Sequence, residues 1–325
     1  LSSTRERNEA LSLLAAVLQQ PTFAQNVFER EQQRALAGLR ESETRPEVLA
    51  DRESRRLLYG EHPYSRPASG EAETVARLRR EDLVDFYRRY FASDDAVVSI
   101  IGDLTRSEAG TIAEQLTAGL PRRTQPLPAL PPVAKLESAQ LSRIAHPATQ
   151  AHILIGQPGI KRLDPDYFPL FLGNYVLGGG GFASRLNEEI RHKRGYAYSV
   201  YSYFNPLALE GPFQIAVQTK KATAQDALKV AQETLAKFVT EGPTPQELDA
   251  AKQNIVGGFP LRIDSNRKIL DYLAIIGFYR LPLTYLEDFP DRIERVTLDQ
   301  IKDAWGRRMR PDRMVTVVVA GADSN

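Results

Sequence analysis

Residues 178–203 bring together side chains and backbone that could hold a peptide. Glycines occupy positions 178–181, and Arg191 and Tyr198 follow, seven residues apart. A glycine run lets the backbone turn sharply and approach another chain closely, and the alternation that begins at Tyr196 predicts a half-buried strand. A peptide backbone offers carbonyl oxygens to arginine and tyrosine donors, and edges to strands. The stretch therefore indicates peptide binding, and the alternative is an ordinary connection between a helix and a strand.

Other catalytic chemistries lack the residues that they need. The chain has no cysteine, which excludes disulfides, thiolate nucleophiles and cysteine metal sites. It has no G-x-S-x-G elbow and no P-loop, and its glycine run does not lead a strand into a helix as a dinucleotide site requires. The histidines lie too far apart to share a metal on one helix; they are His62, His146, His152 and His192. The sequence therefore predicts no catalytic and no metal-binding residue.

Composition is that of a globular protein with a real core. Of the 325 residues, 42% are hydrophobic and 26% are charged, and the length suffices for two domains. The net charge is +1 and no basic face stands out, so nucleic acid is not an expected partner. No apolar run approaches the roughly 20 residues of a membrane helix, so no membrane span is expected.

Hydrophobic periodicity and end signals predict many helices and a few strands. The predicted helices cover residues 8–20, 23–41, 45–59, 80–91, 107–118, 167–177 and 224–239, and two more begin after the capping-box residues Thr244 and Thr297. The predicted strands cover residues 96–101, 151–156, 196–204, 213–219 and 314–320. Five prolines between positions 121 and 132 predict an extended linker.

The chain also contains an internal repeat. Residues 83–89 and their following strand resemble residues 301–307 and theirs, at an offset of 218 that places Tyr87 opposite Trp305. Two copies of that length exceed the 325 residues present, so we expect the first copy to lack its front; the alternative is a degenerate first domain that folds as it stands. The expected fold is α+β, with two homologous domains that each pack a mostly antiparallel sheet with helices. The expected ranges are 1–120 for the C-terminal portion of the first domain, 121–136 for the linker and 137–325 for the second domain.

Several stretches together resemble the pitrilysin and mitochondrial processing peptidase family. They are residues 21–41, His62-Pro63-Tyr64 with Gly70, residues 81–103, residues 177–185, and Arg191-His192-Lys193-Arg194-Gly195-Tyr196-Ala197-Tyr198-Ser199. The resemblance covers nearly all of the chain, and its most specific part is the spacing of Arg191 and Tyr198. It implies one half of a clamshell, in which two-domain halves enclose a chamber.

The resemblance also implies which half this chain forms. In the family, one half holds zinc through an inverted H-x-x-E-H helix and a later glutamate, and the opposite half supplies an arginine and a tyrosine that hold the substrate backbone. Arg191 and Tyr198 match that pair. No H-x-x-E-H occurs; Glu31 matches the first acidic position of the later helix, and Gly38 stands where the metal ligand is required. Glycine has no side chain with which to bind zinc.

The resemblance therefore implies a non-catalytic, substrate-binding subunit of a heteromeric zinc metallopeptidase. The expected partners are a catalytic, zinc-binding subunit of the same family and a peptide substrate, with zinc in that subunit and no cofactor in this chain. The expected substrate-binding residues are Arg191, Tyr198, Gly179, Gly180, Gly181 and Arg185. For Arg185 a capping contact is the alternative, and His152 is a further candidate because its strand is expected to border the chamber.

Two other functions stay open at this point. One is a self-sufficient zinc metallopeptidase whose metal-binding helix precedes Leu1. The other is a non-enzymatic scaffold related to the core proteins of respiratory complexes. The absence of cysteine fits an extracytoplasmic or a cytoplasmic protein, and the resemblance favours a periplasmic location with a cytoplasmic one as the alternative.

Overall fold

The computed structural model describes residues 6–321 and shows an α+β fold, as predicted. The α-helices in this range are α1 (Arg7–Gln19), α2 (Gln25–Ser42), α3 (Pro46–Tyr59), α4 (Ala72–Arg77), α5 (Arg80–Tyr90), α6 (Arg106–Thr117), α7 (Tyr167–Asn174), α8 (Ala224–Glu241), α9 (Pro245–Gly257), α10 (Asn266–Tyr279), α11 (Tyr285–Glu294) and α12 (Leu298–Arg308). The strands are β1 (Gln140–Ala145), β2 (Gln150–Pro158), β3 (Ala197–Phe204), β4 (Pro212–Lys220) and β5 (Val315–Ala320).

The described chain divides into two compact units. Unit 1 comprises residues 6–40, 70–129 and 262–282, and unit 2 comprises residues 41–69, 130–261 and 283–321. Unit 2 includes α3 because this helix packs on β2 and β5. The two units are defined by contacts between residues. The predicted domain ranges 1–120, 121–136 and 137–325 are defined by the internal sequence repeat, and they stay a prediction.

Unit 2 is built on a five-stranded sheet with the order β1-β5-β2-β4-β3. β1 runs parallel to β5, and the other pairs are antiparallel, so the sheet is mostly antiparallel as predicted. Every residue of β5 is buried, which fits its continuous β-branched sequence, because a strand covered on both faces needs no polar alternation.

Helices pack on both faces of the sheet. On one face, Leu58 and Tyr59 of α3 join Val315, Val317 and Val319 in a buried cluster. On the other face, Trp305 of α12 is fully buried. Its ring centroid lies 5.7 Å from that of Phe213 in β4 and 4.7 Å from that of Phe238 in α8. These aromatic edge contacts stabilise the packing of α8 and α12 on the sheet.

Local end signals proved reliable where the sequence contained them. The Thr244 hydroxyl accepts a hydrogen bond from the backbone N–H of Glu247, whose carboxylate accepts one from the N–H of Thr244, and α9 begins there. Thr297 and Gln300 start α12 in the same way. Residues 121–136 form neither helix nor strand, as predicted. The prediction missed β1, α4, α10 and α11.

The strand predicted over residues 96–101 is wrong, because this segment makes no sheet ladder. A strand is held by hydrogen bonds to a neighbouring strand, and within residues 6–321 unit 1 contains no other strand. The side chain of Val97 is 52% exposed. A β-branched sequence of the same kind forms β5 in unit 2, where β1 and β2 flank it.

Candidate functional site

The candidate site lies where the chain enters β3, the last strand of the described sheet. Two main-chain oxygens of this strand accept hydrogen bonds from buried asparagine side chains. The Asn187 amide donates to the Val200 oxygen at 2.9 Å, and the Asn174 amide donates to the Ser202 oxygen at 3.0 Å. Both oxygens therefore already accept a hydrogen bond from within unit 2, so a peptide strand added at residues 200–202 would have to share or displace a buried amide donor.

A β-bulge presents Tyr198 to the surroundings. Ala197 pairs with Thr219 and Ser199 pairs with Gln218, so Tyr198 is an extra residue without a partner in the ladder. Bulges of this kind redirect a side chain and occur often beside functional sites. The Tyr198 side chain is 49% exposed. The two-residue alternation predicted from Tyr196 onward places Tyr198 and Val200 on the same face of the strand. This is wrong, because Val200 is buried and the bulge breaks the two-residue period between them.

Arg191 lies in the π-helical turn Asn187–His192 that precedes β3. The turn closes through the N–H of Gly195, which donates to the Arg191 oxygen at 3.0 Å, and the N–H of Tyr196, which donates to the Ile190 oxygen at 2.9 Å. Gly195 has a φ of +65°, which favours glycine. π-helical turns are rare and are often found at functional sites. The turn and the bulge thus set the two predicted donors on either side of one short connection.

The glycine run allows the helix before the site to press against β3. A Cβ atom added to Gly178 would stand 2.6 Å from the backbone nitrogen of Ser202, so only glycine fits at this crossing. Gly181 has a φ of +61° and starts the short turn Gly181–Ala183. Gly179 ends the π-helical turn Tyr175–Gly179, and Gly180 links it to the turn at Gly181. Contact between these glycines and substrate stays a prediction.

Arg185 is held by unit 2 itself. Its guanidinium binds both carboxylate oxygens of Glu247 at 2.7 and 2.6 Å and the backbone oxygen of Gly242 at 2.9 Å. Glu247 also caps α9. Burial raises the pKa of Glu247, but the Arg185 bonds and the backbone N–H of Thr244 more than offset this, so the pKa lies below its usual value. These contacts support the alternative interpretation of Arg185 as a capping residue, and its role in substrate binding stays a prediction.

A cavity of about 650 Å³ lies beside the bulge, on the sheet face that also carries the start of α3. Ser199 and its ladder partner Gln218 are among its lining residues, as is His152. Burial lowers the pKa of His152, which favours the neutral imidazole. Ser199 follows Tyr198 in the chain, and Tyr198 itself is not among the lining residues. Contact between His152 and substrate remains a prediction.

Zinc does not fit the described residues. Between residues 6 and 321, no group of three or more histidine, aspartate or glutamate side chains could hold a metal. Gly38, which stands at the expected ligand position, lies on an exposed part of α2. Glu31, at the first acidic position, pairs with Arg30 at 3.0 Å.

Gly38 also offers a test of its local environment. A Cβ atom added there would meet no atom within 4 Å, and glycine inside a helix costs roughly 0.5–1 kcal/mol relative to alanine. We expect Gly38→Ala to raise the free energy of unfolding by about that amount, measured by urea denaturation. Gly70→Ala is the matched control: Gly70 has a φ of +75°, so alanine there should destabilise. A loss of stability in Gly38→Ala would show that this position is not open.

Comparison with known proteins identifies the family. A family model described as the peptidase M16 inactive domain matches residues 77–255. The chain belongs to this family. A peptidase M16 inactive domain from Pseudomonas fluorescens, of known crystal structure, is 37% identical and superposes with a TM-score of 0.93, covering 100% of this chain and 78% of that one. The resemblance to the pitrilysin and mitochondrial processing peptidase family is thereby confirmed, and so is the α+β fold with a mostly antiparallel sheet packed with helices.

Curated relatives of the M16 inactive-domain family bear two kinds of description. A non-peptidase homolog from Helicobacter pylori is 28% identical over 298 residues, which are 91% of this chain and 68% of the relative. An uncharacterized zinc protease from Streptomyces coelicolor is 27% identical over 263 residues, which are 77% of this chain and 56% of the relative. The chain thus spans 68% of the first relative's length and 56% of the second's. Its match to an inactive domain and a non-peptidase homologue agrees with the expectation that this chain holds no zinc.

Within residues 6–321, no helix is long and apolar enough to cross a bilayer. The periplasmic location remains a prediction.

Proposed function

We propose that this chain is the non-catalytic, substrate-holding subunit of a heteromeric zinc metallopeptidase. The observation that carries the proposal is the presentation of Arg191 and Tyr198 beside one short turn, in a chain that matches an inactive-domain family. The catalytic subunit of the same family supplies the zinc, which polarises the scissile carbonyl and activates a water molecule when bound.

In this proposal the two side chains act on the peptide backbone. The Arg191 guanidinium offers a rigid fork of N–H donors, and the Tyr198 hydroxyl offers one O–H donor. Both bind carbonyl oxygens of the peptide near the scissile bond. This interaction does not depend on the substrate's side chains. Because the bulge and the π-helical turn hold the two residues in place before substrate arrives, binding costs little ordering, and the peptide is held in an attack geometry.

Groups near Arg191 and Tyr198 complete the proposed substrate-binding surface. Gly179, Gly180 and Gly181 precede Arg191 in the chain, and the cavity lined by Ser199, Gln218 and His152 includes the residue that follows Tyr198. We assign these groups to substrate contact and leave Arg185 out, since its guanidinium is already bound by Glu247 and Gly242.

A second candidate is a self-sufficient zinc metallopeptidase. The description of the Streptomyces coelicolor relative as a zinc protease favours it. It requires a zinc-binding helix outside these 325 residues and a ligand that replaces the missing carboxylate at Gly38. The scaffold alternative requires that the protein bind no peptide at all.

The test compares the full-length protein alone and in combination. We expect the protein alone to contain no stoichiometric zinc and not to cleave fluorescein-labelled casein, whereas addition of a family member that carries H-x-x-E-H produces cleavage above that of the added member alone. Zinc content is measured by atomic absorption and cleavage by fluorescence. Tightly bound zinc with activity in the isolated protein would establish the second candidate instead, and the absence of casein binding with or without the partner would establish the scaffold.

A further inference from the structure

Arg191 differs from the neighbouring Lys193 and Arg194 in having no carboxylate partner among the described residues. Lys193 pairs with Glu189 at 2.7 Å, Arg194 pairs with Glu189 at 2.8 Å, and the His192 ring lies 3.2 Å from Glu188. In the described chain, no carboxylate oxygen lies within 4.0 Å of the Arg191 guanidinium. The acidic residues of this turn are therefore already used, and the hydrogen-bonding edge of Arg191 is left for another ligand.

The contact that Arg191 does make is with an aromatic ring. Its guanidinium carbon lies 4.8 Å from the ring centroid of Phe182. A cation over an aromatic face is attracted by the ring's quadrupole. A guanidinium can lay its flat face on a ring, and its N–H groups, which lie in the plane, then stay available to another ligand. Phe182 thus restricts the direction of Arg191 without competing for its donors.

Two neighbouring features restrict the position of Phe182. It follows Gly181, whose backbone oxygen accepts from the N–H and the hydroxyl of Ser184 at 3.1 and 2.7 Å. Ser184 is fully buried. On the other side, the His192 ring lies nearly parallel to the Phe182 ring, at 12° and 6.1 Å between centroids. The turn and the neighbouring ring therefore define where the Phe182 face stands.

We propose that Phe182 is a positioning residue, which orients the Arg191 guanidinium by stacking so that its N–H edge faces a peptide carbonyl. The inference rests on the proposed function, because it concerns how the same pair holds its substrate. Phe182 itself need not touch the peptide. Its effect on binding passes through Arg191, which makes the two residues energetically coupled.

The experiment measures the affinity of the full-length protein for fluorescein-labelled casein by fluorescence anisotropy. We expect Phe182→Leu to weaken binding about two- to fivefold, which corresponds to the range of a cation–π contact at an exposed site, since Phe182 is 66% exposed. Phe182→Trp should restore binding. Arg191→Ala should weaken binding at least as much, and the double variant should bind no more weakly than Arg191→Ala alone. Phe278→Leu, which changes another exposed phenylalanine, is the matched control and should bind as the unaltered protein does.

The outcomes separate this inference from the proposed function. Weakened binding in Arg191→Ala with unchanged binding in Phe182→Leu would overturn the positioning role and leave the proposed function intact. Unchanged binding in Arg191→Ala, or no binding by the unaltered protein, would overturn both. Additive losses in the double variant would show that Phe182 acts independently of Arg191, and this too would overturn the inference.

Discussion

Combining Arg191→Ala with Tyr198→Phe is expected to lower casein cleavage by the reconstituted pair on the order of 100-fold. The reason is positional: the two substitutions remove the donors that we propose to hold the peptide backbone, and a misplacement of about 1 Å at a reacting centre can cost that factor. The loss should appear mainly in kcat/KM, measured from initial rates at several substrate concentrations. Zinc content should not change, because the proposed function assigns the metal to the partner.

The control for this prediction is Arg89→Ala with Tyr90→Phe. These residues reproduce the same chemistry elsewhere, since the Arg89 guanidinium lies over the Tyr90 ring at 5.5 Å and Tyr90 is 40% exposed. They lie in α5 of unit 1, so cleavage should stay at the level of the unaltered pair. Equal cleavage by the Arg191 and Tyr198 double variant and this control would contradict the proposed role of the two donors.

Features that depend on neighbouring residues were predictable from the sequence. Thr244 and Thr297 each precede a residue that completes a capping box, and both helices begin where the pattern places them. Long-range pairing was not predictable. Residues 96–101 have a strand-forming sequence but no ladder, and β1 has a strand ladder that the sequence did not suggest. Whether such a segment forms a ladder depends on which strands lie beside it in the fold, and the order of strands in a sheet is not visible in a single sequence.

The candidate site likewise has residues that the sequence indicated and features that depend on long-range contacts. The resemblance pointed to Arg191 and Tyr198, but the bulge that exposes Tyr198 inserts one residue into a two-residue period, and only the register with β4 reveals it. The bond between Arg185 and Glu247 spans 62 residues, so composition and spacing could not establish it. Phe182 was visible only as an aromatic residue after the glycine run, and its contact with Arg191 depends on the turn between them.

Gly178→Ala is expected to destabilise unit 2 by about 1–3 kcal/mol, the usual cost of overfilling a packed interior. The added Cβ atom would stand 2.6 Å from the Ser202 nitrogen and 2.7 Å from a methyl carbon of Leu186, and would also meet the Ser202 hydroxyl. Backbone atoms of a paired strand do not move independently, so β3 must shift as a whole or the helix must withdraw. Either movement also displaces the bulge at Tyr198, and we expect peptide binding to weaken in step with stability.

Urea denaturation followed by circular dichroism measures this effect, and Gly306→Ala provides the matched control. Gly306 lies within α12, and a Cβ atom added there would meet nothing within 4 Å, so alanine should stabilise by roughly 0.5–1 kcal/mol. The two variants make the same chemical change in helical backbone, and only the space around them differs. A Gly178→Ala protein that unfolds at the same urea concentration as the unaltered protein, and binds casein equally well, would show that the glycine run does not position β3. The stability of the site would then have to come from the asparagine bonds to Val200 and Ser202 alone.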